Sequence, residues 1–290
     1  MTVLLSGTAV GAVYALVAIG FILIYKGSRV LNFAQGELLM VGAFLAALTT
    51  GTGVPLLAAV LIAIVGTALV GFLIESFSMW PLVGRPVVAP IIATLGLAIV
   101  MRGVAGAVWG QEVRPIPTLF PDRPVRLLGA TVSAVQVGSF AVALALIGLF
   151  VAAFRYTRLG LALRAFSSDA RAANAVGISS GGALALVWMA AGAVAAAGGV
   201  LLAQSGGVSV STADVAFRVL PVVVLGGLTS FGGAVVAGVV VGVLETAAGT
   251  YLNQYVPGGG VQEVAPYVVM LLILIVRPAG LFGNKEIRRA

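Results

Sequence analysis

Neither cysteine nor histidine occurs in this chain of 290 residues, and lysine occurs only at positions 26 and 285. Without cysteine there is no disulfide framework, and with histidine also absent the commonest transition-metal ligands are gone. Cysteine- and histidine-based catalysis goes with them. No catalytic residue and no metal ligand is therefore assigned, and the chain is not read as an enzyme. A nucleotide-binding P-loop needs Gly-Lys-Ser/Thr, but the two lysines follow Tyr25 and Asn284. Any energy drawn from ATP must come from another subunit. Charge of either sign is scarce: 9% of residues are Asp, Glu, Lys or Arg, where a soluble domain carries about a quarter.

What fills the sequence is apolar. Hydrophobic residues make up 61% and the mean hydropathy is +1.17, which implies a polytopic membrane protein. The net charge of +7 resides in loops, so membrane topology explains it better than nucleic-acid binding. The N-terminus lacks a basic n-region and a small-residue cleavage site, so it reads as a first membrane helix, not a removable signal.

A spanning helix needs roughly 20 apolar residues. Candidate spans fall at about 4–25, 36–50, 54–75, 87–108, 131–154, 183–205, 217–228, 234–252 and 263–281. The fold class is thus an all-α membrane helix bundle with about eight or nine membrane segments, forming one integral domain over 1–290. The second and seventh spans are short enough to be broken or re-entrant, which is allowed only where protein or water covers the free backbone groups. The loop 109–130 carries Pro115, Pro117, Pro121 and Pro124, favouring a stiff extended excursion over a helix. A Gly-rich loop from Val256 to Val261 joins the last two spans.

Orientation follows from the basic residues of the short loops. With the 155–182 segment in the cytoplasm, Lys26, Arg29, Arg85, Arg155, Arg158, Arg164, Arg171, Arg277, Lys285, Arg288 and Arg289 lie inside. Arg114, Arg123, Arg126 and Arg218 lie outside, giving eleven against four. This places the N-terminus outside and the C-terminus inside.

Four sets of residues stand out. The first helix carries Gly7, Gly11 and Tyr14 and leads to Asn32, Gln35, Gly36 and Glu37. Gly7 and Gly11 allow close helix approach. Asn32 is suited to cap the next helix and Glu37 to its positive end, while Gln35-Gly36 marks close approach to a neighbour. The second set is the central polar segment, whose 166–176 part starts with Ser-Ser-Asp at an N-cap and ends before Gly177. A bare connection would need about 2–8 residues, so this segment reads either as a docking element or as a solvated loop. Third, Gly226, Gly227, Gly232 and Gly233 break an apolar stretch beyond Pro221, as either an interrupted pathway-lining helix or a tight hairpin. Last come the intramembrane charges. Glu75 and Arg102 are placed near span ends, where they can snorkel, and Glu245 lies mid-span, where it needs a buried polar contact.

Together these residues resemble the LivH family, the permeases of branched-chain amino acid ABC importers. The resemblance is carried by GAVYALVAIGFILIYKGSRVLNFAQGELLMVGAF, TRLGLALRAFSSDARAANAVGIS, VVVLGGLTSFGGAVVAGVVVGVLET and the ending RPAGLFG, and it spans essentially the whole chain. Arg218 and Pro221 depart from the rest of their segment. The resemblance implies a bacterial inner-membrane importer built from this permease, a second permease, two cytoplasmic ATPase subunits and an extracytoplasmic binding protein. ATP and Mg would be used by the ATPase subunits, with no cofactor on this chain. It further implies that 155–182 is the coupling loop to the ATPase, with Arg164, Asp169 and Gly177 as its key positions. Tyr14, Asn32, Gln35, Glu37, Gly226, Gly227, Gly232, Gly233 and Glu245 would then belong to the translocation core or its packing. An ABC permease for urea or short amides is the alternative substrate class, and an ion-coupled secondary carrier the alternative mechanism. The carrier would show inverted repeats and a midplane ion site, and neither is clear in the sequence.

Overall fold

A computed structural model describes residues 1–121, 123–127, 129–256, 259–277 and 280–282. Lys285, Arg288 and Arg289, together with parts of the Val256–Val261 loop and of the Arg277–Gly283 ending, lie outside the described residues. The helices are α1 (Thr2–Ser28), α2 (Gln35–Gly51), α3 (Leu56–Ile74), α4 (Val88–Trp109), α5 (Ala134–Tyr156), α6 (Arg158–Ser168), α7 (Ala170–Ala175), α8 (Ser180–Gly206), α9 (Val215–Gly226), α10 (Phe231–Tyr251) and α11 (Val261–Val276). Helix α3 runs on through a π turn at Glu75–Met79 to Leu82.

Six of the described helical segments are long and apolar enough to cross a bilayer. Helices α2, α9 and α11, with 17, 12 and 16 residues, fall short of the roughly 20 needed. Eight or nine full crossings are therefore not reached by length alone. The proline-rich loop forms no helix among its described residues, as expected. It ends in a short antiparallel hairpin of β1 (Pro124–Leu127) and β2 (Ala130–Ser133), which takes the first residues of the expected fifth span.

Two helices form the centre. Along α1 and α8 small residues alternate with large ones, and both helices are buried on most of their surface. They run antiparallel: a Cβ built on Gly27 would come within 3.0 Å of Val187, and one on Gly198 within 2.6 Å of Val17. Against the other side of α1 lies α10. A Cβ on Gly7 would meet the Val243 backbone at 2.6 Å, and one on Gly11 would collide with the Gly238 carbonyl. Small residues at this spacing let two backbones touch, which in lipid replaces the hydrophobic drive for association.

The lengths and directions form a pattern the sequence did not reveal. The order long α1, short α2, long α3 recurs as long α8, short α9, long α10. Helix α3 is antiparallel to α8, with Gly71 beside Trp188 and Gly192 beside Thr67, while α10 is antiparallel to α1. The second set therefore runs in the reverse direction to the first. Each short helix follows a non-α lead-in, residues 29–34 for α2 and 207–214 for α9. The starts of the two short helices meet, since a Cβ on Gly36 would strike the Ala213 carbonyl and lie 2.7 Å from Ala216. Protein covers the first lead-in, where Asn32 and Gln35 are fully buried; the second is covered only in part, with Ala213 buried and Ser211 exposed.

Candidate functional site: a charged cavity and a polar hook

Two positive helix ends brought together need negative charge. Glu37 supplies it in the first turn of α2, and Asp214 directly precedes α9. Arg102 of α4 binds both carboxylates, Glu37 at 3.0 Å and Asp214 at 2.8 Å. It does not snorkel to a span end. Asn32 does not cap α2, whose N-cap position is Ala34. The Asn32 side chain instead accepts a bond from the Ala34 N–H at 3.0 Å and donates to Gln35 at 3.2 Å. Gln35 in turn donates to the Ala191 carbonyl of α8 at 3.3 Å and packs on Gly20. The Gln35-Gly36 pair thus does mark close approach, to α1 and α8 on one side and to the 3-10 turn Val210–Asp214 on the other.

Next to this clasp, among α1, α8, α9, α10 and α11, a cavity of about 640 Å³ opens on the side of the 109–133 loop. Glu245 of α10 lines it and is 8% exposed. The Tyr14 hydroxyl donates to Glu245 Oε1 at 3.1 Å, and Arg218 approaches the same oxygen at 3.5 Å. Arg218 is held more tightly by Glu263 of α11, at 2.7 Å. Glu245 therefore has the buried polar contact its mid-span position demands. Sequence reasoning missed the partners Asp214 and Glu263, and it read Arg102 and Arg218 only as a snorkelling residue and an outside charge. The usable signal was the cost of an intramembrane arginine, roughly 3 kcal/mol unless it is paired.

Glu75 is buried at the opposite end, in the π turn. It does not snorkel either. It lines a small cavity with Trp188, Phe166 and Arg85.

At that end the 155–182 segment projects as two helices, where the sequence suggested one. Thr157 caps α6, accepting from the Gly160 N–H at 3.1 Å. Asp169 caps α7, accepting from the Arg171 and Ala172 N–H groups at 2.9 and 3.0 Å. Arg164 donates to the Arg155 carbonyl at 2.9 Å, tying α6 back to the end of α5. Gly177, at φ +90°, turns the chain after α7, and Asn174 closes the corner through Ser180. Leu159, Leu161 and Val176 stand exposed on this hook. Its root is tied to the bundle through Lys26, whose ammonium lies 5.4 and 4.9 Å from the Phe154 and Phe231 rings.

The glycine pairs after α9 form a tight hairpin. Gly227 has φ +87°, Ser230 caps α10 through the Gly233 N–H at 3.0 Å, and a Cβ on Gly233 would collide with the Gly226 carbonyl. Gly232 has open space around it. None of the four glycines lines the large cavity.

A bundle of crossing and interrupted helices, with a charged cavity at one end and a capped polar hook at the other, has the architecture of a membrane transport permease. The chain belongs to the family described as the branched-chain amino acid transport system permease component, which it matches over residues 3–277. It is 32% identical to the high-affinity branched-chain amino acid transport system permease protein BraD of Pseudomonas aeruginosa, covering 99% of this chain and 96% of that one. Identity to the permease protein LivH of Escherichia coli K12 is 29%, over 98% and 96% of the two chains. A probable branched-chain amino acid transport permease protein LivH of Methanocaldococcus jannaschii is 30% identical over 92% and 88%. The fold is also that of a chain in the structure of PsaBC from Streptococcus pneumoniae in complex with Fab, at a TM-score of 0.50 and 17% identity, covering 97% of this chain and 92% of that one.

Proposed function

We propose that this chain is the membrane permease subunit of an ABC importer for branched-chain or related small amino acids, driven by ATP hydrolysed on separate ATPase subunits. The observation that carries this reading is the family match over nearly the whole chain. The hook supports it, because a capped two-helix projection with exposed Leu159, Leu161 and Val176 suits a groove on a soluble subunit. In this reading the hook faces the cytoplasm and the 109–133 loop faces outside, in keeping with the distribution of basic loop residues. A second permease completes the pathway, and an extracytoplasmic binding protein delivers substrate at the cavity end. Nucleotide-driven movement of the hook tilts the helices between inward- and outward-facing states.

The test is purification of the tagged chain from its native membrane in mild detergent, followed by reconstitution with its binding protein. ATPase subunits and a second permease should co-purify, and liposomes should take up L-leucine only with ATP. Uptake without ATP by the chain alone would establish a secondary carrier instead. ATP-dependent uptake of urea or acetamide in place of leucine would move the substrate class.

A further inference from the structure

The cavity beside α1 joins ionic groups to an aliphatic wall. Arg218, Glu245 and Asp214 line it, and Val10, Leu202 and Val215 form its apolar side. Its volume, about 640 Å³, lies within the roughly 300–1,000 Å³ of ordinary small-molecule sites. The surrounding charges do not balance. Arg102 and Arg218 stand against Glu37, Asp214, Glu245 and Glu263, leaving two carboxylates in excess. Glu245 is the least satisfied of them. Its contact to Arg218 is 3.5 Å, long beside the 2.7–2.9 Å of a strong ionic hydrogen bond. Among the described residues its buried Oε2 has no hydrogen-bond partner. A buried acceptor in that state is costly, and the soft terminal torsion of a glutamate lets it turn to an incoming donor.

We propose that this cavity is a binding site for a zwitterionic aliphatic amino acid within the permease itself. The ammonium group is taken by the Glu245 carboxylate, the α-carboxylate by the Arg218 guanidinium, and the side chain by the Val10, Leu202 and Val215 wall. The ligand enters the loose Glu245–Arg218 contact and returns to each partner an opposite charge, so the charge of the cluster does not change. Among the described residues no three acidic side chains converge as a metal site. The inference rests on the importer reading and adds a place where the permease recognises its substrate.

The test is equilibrium binding of radiolabelled L-leucine to the detergent-purified complex of permeases and ATPases, with no binding protein added. The wild type should bind L-leucine and release it to L-valine, but not to 4-methylpentanoate or isopentylamine at equal concentration. Glu245→Gln should weaken binding roughly ten- to a hundredfold, the loss of one charge-assisted contact. Glu263→Gln provides the second arm, since Glu263 competes for Arg218 and is not among the residues that line the cavity; it should leave affinity unchanged or raise it. Absence of binding to the wild type would overturn the site, as would equal competition by isopentylamine, unchanged affinity in Glu245→Gln, or a loss in Glu263→Gln. If Glu245→Gln does not assemble, the Glu263→Gln result and the analogue competition decide. The importer reading fails separately, if complete wild-type importer takes up no amino acid with ATP.

Discussion

Arg102 and Asp214, 112 residues apart in sequence, meet at 2.8 Å at the point where α2 and α9 begin. The same guanidinium reaches Glu37, whose side chain is only 4% exposed. One arginine thus bridges the acidic groups serving two abutting helix ends. Replacement by Met should leave Glu37 buried without a cation. The expected destabilisation is about 3 kcal/mol, the low end for breaking a buried pair, because the arginine is itself partly exposed. Chemical unfolding in detergent measures it. The double change Arg102→Met with Glu37→Gln should recover part of the loss, and strict additivity would show that the two groups do not interact.

The α1–α10 contact predicts a sharp size limit. Gly11→Val puts a branched side chain where the Gly238 carbonyl stands, and the backbone has no rotamer by which to yield. Overpacking typically costs about 1–3 kcal/mol, and this site should lie at or above the upper figure. Gly103→Ala in α4, where a Cβ would have nothing within 4 Å among the described residues, should be neutral or gain up to about 1 kcal/mol of helix propensity. Thermal unfolding in one detergent compares them.

Asp169 acts on α7 through two backbone N–H groups. Asp169→Ala should remove the cap, worth about 1 kcal/mol, and lower substrate-stimulated ATPase activity without affecting membrane insertion. Asp169→Asn keeps the cap geometry and should keep most of the coupling. If Asn behaves like Ala, the negative charge contacts a partner directly and the cap is not the reason for the effect. Gly177→Ala should act in the same direction as the cap loss, because φ +90° is strained for any residue with a Cβ.

The chain is free of cysteine, so its topology can be read from single cysteines in the native background. Ala175→Cys on the hook and Glu112→Cys in the opposite loop are both exposed positions. In intact cells an impermeant maleimide should label position 112 and spare position 175 until the membrane is opened. The reverse pattern would invert the proposed orientation.

Much of the helix layout was legible in the sequence, since a long apolar run flanked by polar residues has few alternatives in lipid. The two short spans at 36–50 and 217–228 were visible as short, but not the meeting of their starts, because Gly36 and Ala213 carry no signal of each other. The Asp169 cap and the Gly177 turn were readable because capping is local chemistry. The ionic contacts were not. Arg102, Glu37 and Asp214 come from three distant segments, so their pairing exists only once α4, α2 and α9 are assembled. The Asn32 cap failed by two positions: its side chain bonds the Ala34 N–H and the side chain of Gln35, the first residue of the helix, a competition between side chain and backbone that spacing alone does not resolve.

Helix α1 is synthesised before any helix that encloses it. Its glycine face waits for α10, more than two hundred residues later, and its other side for α8. During synthesis that groove is open to lipid or to the insertion machinery. The last long helices therefore complete the interior of the first one, and a chain arrested before residue 231 should leave the glycine face of α1 uncovered, marked for quality control and for degradation by membrane proteases.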